Sequence, residues 1–310
     1  MNVLVAGGSG FLGAEIARAL LEAGHAVTVM SRSRPGNADH SPDMNWVAGD
    51  VTQPATLGPA LASAEAVVDA VQFPNSPNED PRKGYTFERI DLGGTVNLVD
   101  AAVAAGARRF IGLSGAGASE HAPYHWQRFK WQEEQHIQAS GLEWTIFRPS
   151  WVYGPRDVSL NRMLGLARFL PFVPVIGDGK TRINPLFVRD LAAHVCAALA
   201  SPPSEGRLFE IGGPQVLTMD EIVRTALRVQ GRRRGLLHQP KWFMKRVAGL
   251  AQFAPGRPLT PGLVDFVTME GVADTASLAA TFGLPLTPLA DGLATYLAPA
   301  ARVPAHPDTP

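Results

Sequence analysis

The chain has 310 residues, with 28 Lys+Arg against 28 Asp+Glu, zero formal net charge and 45% hydrophobic residues. That suffices for one large α/β domain or two modest ones with a real core, and is too apolar for global disorder. Zero net charge excludes a nucleic-acid binder acting through overall charge, and the single cysteine, Cys196, excludes a disulfide framework or a Cys-rich zinc site.

In chain order, residues 2–6 form a short apolar run and residues 11–23 carry helical periodicity. Further strands are expected at 26–30, 45–48, 66–71, 108–113 and 143–147, with helices near 87–105 and 125–139 between them. This alternation predicts a doubly wound parallel sheet of the Rossmann type, with ligands at the edge where the strands end. It defines a dinucleotide-type domain over 1–150. Beyond Pro149 the alternation weakens. Helices are expected at 160–169, 190–200 and 219–230 and strands at 182–187 and 207–211, followed by short helices broken by Pro and Gly. Residues 151–298 are therefore expected to form a smaller, mostly helical substrate lobe with segments returning to the sheet. The proline-rich 299–310 reads as a disordered tail. The opening lacks the basic residues and long apolar core of a signal peptide. The longest apolar stretch, 166–177, is cut by Arg168, Pro171 and Pro174, short of the ~20 apolar residues of a spanning helix. A cytoplasmic protein is expected, with peripheral placement at the inner face of a membrane as the variant.

The most informative stretch is VLVAGGSGFLG. Gly7, Gly10 and Gly13 follow a strand and open a helix, which carries Phe11 and Leu12 in its first turn. A tight turn needs the first glycine, close approach of a pyrophosphate needs the second, and helix packing against the strand needs the third. Free N–H groups at the helix start then face the phosphates. A nicotinamide dinucleotide is the expected ligand. After the second strand, where NAD sites usually carry an acid, stand Ser31, Arg32, Ser33 and Arg34, which suit a 2′-phosphate. NADP(H) is favoured, with NAD(H) the second candidate and a solvated basic loop the plain alternative. Asp50 and Val51 follow the third strand. Asp50 reads equally as an adenine contact or a turn cap.

GGSGFLG, DLGGTVNLVDAA, FIGLSGAGA, SGLEWTIFRPSWVYGP, INPLFVRDLAAHV and FEIGGPQVLTMDEIV together resemble the extended, atypical branch of the short-chain dehydrogenase/reductase superfamily over about residues 1–297. LNRMLGLARFLPFVPVIGDGKTRINPLFVRDLA and GGPQVLTMDEIV are most similar to relatives of the nucleotide-binding accessory subunit of respiratory complex I. The resemblance implies a tyrosine acid/base four residues before a lysine, with a serine from the preceding strand. Lys130 stands at the lysine position and Ser114 at the serine position, whereas Trp126 stands at the tyrosine position. Indole N–H donates a hydrogen bond but is no acid/base. Tyr124, six residues before Lys130, is a displaced candidate if the helix begins at His125. Pro149 and Val152 are expected to line the nicotinamide pocket. The favoured reading is an NADP(H)-binding protein, non-catalytic or specialised. The alternative is an active NADP-dependent oxidoreductase or epimerase acting on a small carbonyl or hydroxyl substrate, and whether any turnover occurs stays open.

No metal site is expected. His121 and His125 are four apart, but Pro123 interrupts them. Cys196 reads as a core residue. From Ile222 to Val264 there is no Asp or Glu, while nine basic residues fall between Arg224 and Arg257. Within that block PKWFMKRVAGLAQFA interleaves aromatic and basic residues. Three readings remain: an anionic membrane surface, an acidic protein partner, or an amphipathic lid helix with solvated charges.

Overall fold

The computed structural model describes residues 1–34, 41–167, 169–254 and 259–298. The expected tail and Arg257 lie outside the described residues. The strands are β1 Asn2–Ala6, β2 Ala26–Ser31, β3 Asn45–Ala48, β4 Ala66–Asp69, β5 Arg109–Leu113, β6 Glu143–Pro149, β7 Val152–Tyr153, β8 Phe172–Ile176, β9 Arg182–Ile183, β10 Leu186–Phe187, β11 Arg207–Ile211, β12 Leu217–Thr218 and β13 Gly235–Gln239. The helices are α1 Phe11–Glu22, α2 Gly58–Leu61, α3 Gly93–Ala104, α4 His125–Ala139, α5 Val158–Leu166, α6 Val188–Leu199, α7 Met219–Val229, α8 Lys241–Ala251, α9 Pro261–Val267, α10 Ala276–Phe282 and α11 Leu289–Leu297. A π-helical turn, Phe87–Leu92, leads into α3.

Seven strands form one parallel sheet in the order β11-β6-β5-β4-β1-β2-β3. Alternation along β1 explains why both faces are covered. Val3 and Val5 enter the cluster with Ile16 and Leu20 of α1 and Leu191 and Val195 of α6. Leu4 and Ala6 enter the opposite cluster with Leu98 and Val99 of α3 and Ile137 of α4. A strand buried on both faces must be apolar throughout, as this one is after Asn2. The chain order reverses between β1 and β4, so the crevice beyond β1 is the position where such sheets bind ligands. This is the Rossmann-type α/β fold expected from the sequence.

Three expectations are corrected. Residues 182–187 are not one strand. Pro185 lacks an N–H, and the Asn184 side chain instead bonds the Ala273 backbone, accepting from its N–H and donating to its carbonyl, both at 3.0 Å. The run therefore splits into β9, paired with β12, and β10, paired with β7. The region after 230 is not solely helical either: β13 pairs in parallel with β8. Pro174 within β8 is tolerated because a two-stranded ribbon has a free edge where a missing N–H costs nothing. Nor is the basic block wholly unopposed. Arg224 reaches Asp220, and Lys241 and Lys245 both reach Asp265, at 2.9 and 2.8 Å. Cys196 packs partly buried against the core.

Candidate dinucleotide site

The chain leaves β1 through Gly7, whose φ of +75° few L side chains adopt and whose absent Cβ would sit 2.6 Å from the Ala70 carbonyl. The Gly7 N–H donates to Met30 O at 3.0 Å and Gly10 N–H to Gly7 O at 2.9 Å, folding the turn back on itself. A Cβ on Gly13 would meet Gly7 O at 2.4 Å. Its absence thus lets α1 close on the glycine turn rather than on the strand. Gly10 caps α1 without any side-chain hydrogen bond. The first-turn N–H groups of Phe11, Leu12 and Gly13 therefore keep their donors, with the positive end of the helix dipole behind them.

These groups open onto a cleft at the sheet edge. Gly7, Gly10, Phe11, Leu12, Ser31, Arg32, Asp50, Val51, Ser114 and Lys130, all expected at the site, line it. Gly13, Arg34, Tyr124, Pro149 and Val152 do not. Ser9, Gly49, Gln72, Pro74 and Ile90 line it without having been anticipated. Arg156 also arrives from the C-terminal half and donates to the Ser9 carbonyl at 3.0 Å, placing a cation against the glycine turn. Its only sequence signal was its place after the YGP turn.

At the end reached by β2, the Ser31 hydroxyl already donates to Ser33 O at 2.7 Å and accepts from the Trp46 indole at 2.9 Å. It shapes the loop and has no proton left to offer a phosphate. Arg32 lies over the Tyr85 ring at 5.6 Å, and Arg34 is exposed. Neither guanidinium has an acidic partner among the described residues. Asp50 accepts from Thr52 N–H and Oγ1, at 2.9 and 2.8 Å, so it is a turn cap that also borders the cleft. Val51 is buried against Gly94.

At the other end, the Lys130 ammonium projects from α4, with 12% of its side chain exposed. It hydrogen-bonds Glu133 at 2.9 Å. It also pairs with Asp91 at 3.1 Å, an ionic approach off the hydrogen-bond direction. Thr95 donates to Asp69 at 2.8 Å and lies 3.5 Å from Glu133. Three buried carboxylates thus surround one cation. Burial pushes Asp91 up to about 6 and raises Asp69 and Glu133 as well, with Lys130 pulling each back. Burial alone would lower Lys130, but Glu133 and Asp91 overcome it and hold the ammonium charged. Ser114 donates to Glu134 at 2.5 Å, and Arg148 grips the same carboxylate at 2.7 and 2.6 Å. The serine hydroxyl can still accept a hydrogen bond from a ligand. The acidic pair at 133–134, three and four residues after Lys130 and hence on its face of the helix, was the available signal for these partners.

Trp126 is buried among Phe87, Tyr124 and Phe266, with its indole N–H unpartnered. The helix does begin at His125, yet Tyr124 does not turn into the cleft. Its ring stacks on Trp126 at 4.4 Å, and its hydroxyl lies against Lys241. His125 Nε2 lies 2.7 Å from Glu79. Pro149 accepts from Ala116 N–H at 3.2 Å beside the Ser114 loop, and Val152 pairs with Leu186.

Residues 7–164 match the family model described as NAD(P)H-binding. The chain belongs to this NAD(P)H-binding family. Its members hold a nicotinamide dinucleotide, and the glycine turn, uncapped helix start and open cleft described above fit that ligand. The NAD(P)H azoreductase of Xenophilus azovorans is 27% identical over 235 residues, covering 74% of each chain. The mitochondrial NADH dehydrogenase [ubiquinone] 1 alpha subcomplex subunit 9 of Arabidopsis thaliana is 30% identical over 231 residues, which is 70% of this chain but 55% of that protein. The expected likeness to extended short-chain dehydrogenase/reductases and to complex I accessory subunits therefore holds. A UDP-glucuronic acid 4-epimerase from Bacillus cereus, in complex with UDP-glucuronic acid and NAD, superposes with a TM-score of 0.73 over 96% of this chain and 99% of its own, at 18% identity. That likeness establishes the fold alone.

Proposed function

We propose that this NAD(P)H-binding protein favours NADP(H) and that its own acid/base chemistry is weakened, making it a non-catalytic or specialised cofactor-binding protein. The observation that carries the reading is the absence of any phenol beside Ser114 and Lys130 among the described residues lining the cleft. Trp126 replaces it and Tyr124 points to Lys241. On this reading Gly7, Gly10, Gly13 and the first turn of α1 hold the diphosphate, with Arg156 balancing its charge. Arg32 and Arg34 take the 2′-phosphate, Asp50 and Val51 border the adenine, and Lys130 bonds the nicotinamide-side ribose. Pro149 and Val152 support that end from behind. The bound cofactor supplies hydride chemistry. Ser114 accepts a hydrogen bond from whatever lies over it, and Lys130, its charge balanced by the carboxylates around it, holds its proton. Residues 1–150 form the cofactor domain and 151–298 the substrate lobe. The protein is taken as cytoplasmic, with the basic stretch 224–257 as its contact to a membrane or an acidic partner.

A second reading, an active NADP-dependent oxidoreductase or epimerase on a small carbonyl or hydroxyl substrate, is favoured by the intact Ser114 and Lys130 and by reductases among the relatives. Titration with NADPH and NADH tests the first reading. Arg32→Ser with Arg34→Ser is expected to weaken NADPH about tenfold or more, from lost charge-assisted bonds, and to leave NADH unchanged. Equal affinity for both cofactors in the wild type overturns the preference. Hydride exchange with added metabolites, abolished by Tyr124→Phe, would establish the second reading.

A further inference from the structure

Helix α8 turns its large apolar side chains to solvent. Ala248 is buried, and Lys241 and Lys245 on the same half turn inward to Asp265 of α9. Trp242, Phe243, Val247 and Leu250, with Phe253 just past the helix end, turn outward, Trp242 at 62%, Leu250 at 79% and Phe253 at 73% exposure. At 100° per residue these five and Arg246 occupy one half of the helical wheel. An ordinary surface helix does the reverse with its large apolar side chains, hiding them against the core. Of the twelve large apolar side chains left exposed among the described residues, six fall between Leu237 and Phe253. A contiguous apolar ridge of this kind on a water-facing surface calls for a partner.

The charges identify the partner. Arg246 lies over the Trp242 ring at 5.4 Å, and no carboxylate occurs from Ile222 to Val264. At the C-terminal end of α7, Arg228, Arg232, Arg233 and Arg234 line one shallow cleft, and none of the four forms an ion pair among the described residues. Two copies of such a cationic surface repel each other, which argues against self-association through it. A phosphate-bearing interface attracts the arginines and accepts the aromatic and aliphatic side chains together. Eleven residues of helix extend about 16 Å, and no described helix is long and apolar enough to cross a membrane. The geometry of α8 is that of a segment lying in an interface rather than spanning it.

We propose that α8 docks the protein on an anionic lipid bilayer, inserting Trp242, Phe243, Val247, Leu250 and Phe253 while Arg246 and the arginines at the end of α7 meet headgroup phosphates. The two lysines share the one Asp265 carboxylate, which offsets one of their two charges, and they lie on the half of the helix away from the inserted side chains. This inference does not depend on the cofactor reading.

The test is co-sedimentation of the full chain with vesicles of phosphatidylcholine alone and of phosphatidylcholine mixed with phosphatidylglycerol. The proposal expects binding to the mixed vesicles, weakened by added salt, with a blue shift in tryptophan fluorescence that Trp242→Phe removes. Leu250→Ser with Phe253→Ser is expected to lose about tenfold or more of that binding. The same samples should keep their thermal midpoint and NADPH titration, since neither side chain is buried. Failure to bind mixed vesicles, binding indifferent to salt, or full binding by the double variant overturns the proposal. Dimerisation in sedimentation velocity that the double variant abolishes, without vesicle binding, overturns it in favour of a second copy.

Discussion

A lysine ammonium set between Asp91 and Glu133 stays charged across the working pH range, and the proton that can move belongs to the carboxylates around it. Asp69, Asp91 and Glu133 are each less than a tenth exposed, and all three are raised by burial. One cation balances one carboxylate, so the fold prefers the remaining acids protonated. A raised acid contributes stability that is fully present below its unfolded value, near 4.3 for Glu, and lost as pH rises through the folded one. Glu133→Gln keeps the shape and removes the titration, and Asp91 still pairs with Lys130. The variant is therefore expected to gain on the wild type in stability as pH rises from 5 to 9, by on the order of 1 kcal/mol at the upper end, read as a higher thermal midpoint. Thermal scans at several pH values check this, and a difference independent of pH refutes it. Ser114 answers to a similar constraint. Held by Glu134, which Arg148 holds in turn, it is fixed in orientation before any ligand arrives.

At the scale of elements, the glycine turn and α1 form one device. Gly13 lies within the helix, so alanine there would normally favour helix by about 1 kcal/mol. Here its Cβ would strike the Gly7 carbonyl, backbone that cannot rotate away. Gly13→Ala is expected to lower the thermal midpoint and weaken NADPH at least tenfold, by tilting the first-turn N–H groups off the diphosphate. An affinity equal to the wild type, measured by titration, would show the contact to be slack. This device was legible in the sequence because its requirements are local: a positive φ, a close approach and a free helix start all fall within seven residues. The sheet strands were legible from apolar runs buried on both faces. The β8–β13 ribbon was not, because its strands lie about sixty residues apart and Pro174 argues against a strand. Two of the carboxylates around Lys130 were hidden for the same reason. Glu133 shares α4 with Lys130 and was within reach of a spacing argument, but Asp69 ends β4 and Asp91 sits on the π turn, and only the topology brings those two to the lysine. Composition could mark α8 as aromatic and basic. It could not say which half faces inward, since that depends on Asp265 beyond the block. Tyr124 was placed correctly at the helix start, yet its ring direction is set by Trp126 and Lys241.

On the scale of the whole molecule, the C-terminal half is tied into the sheet at several points. β11 returns from it to pair with β6. Asp190 at the start of α6 accepts from Thr287 N–H and Oγ1, at 2.6 and 2.8 Å. The buried Arg109 guanidinium spans β5, β6 and the end of α6 through Glu143 O, Thr145, Ala198 O and Ser204. Melting of one half would strip the other of these bonds and uncover the apolar cluster that both halves share, so neither half should melt alone. The cleft lies on the sheet edge and receives Arg156 from the C-terminal half, so a ligand there stabilises the single cooperative unit. NADPH at a hundred times its dissociation constant should add about 2.7 kcal/mol, a rise of a few degrees for a chain of this size. Differential scanning calorimetry is expected to give one transition without cofactor and one, shifted upward, with it. NADH at the same concentration should shift it less. Two transitions, with only the lower or only the upper answering to NADPH, would mean that the strands and side chains crossing between the halves do not couple them.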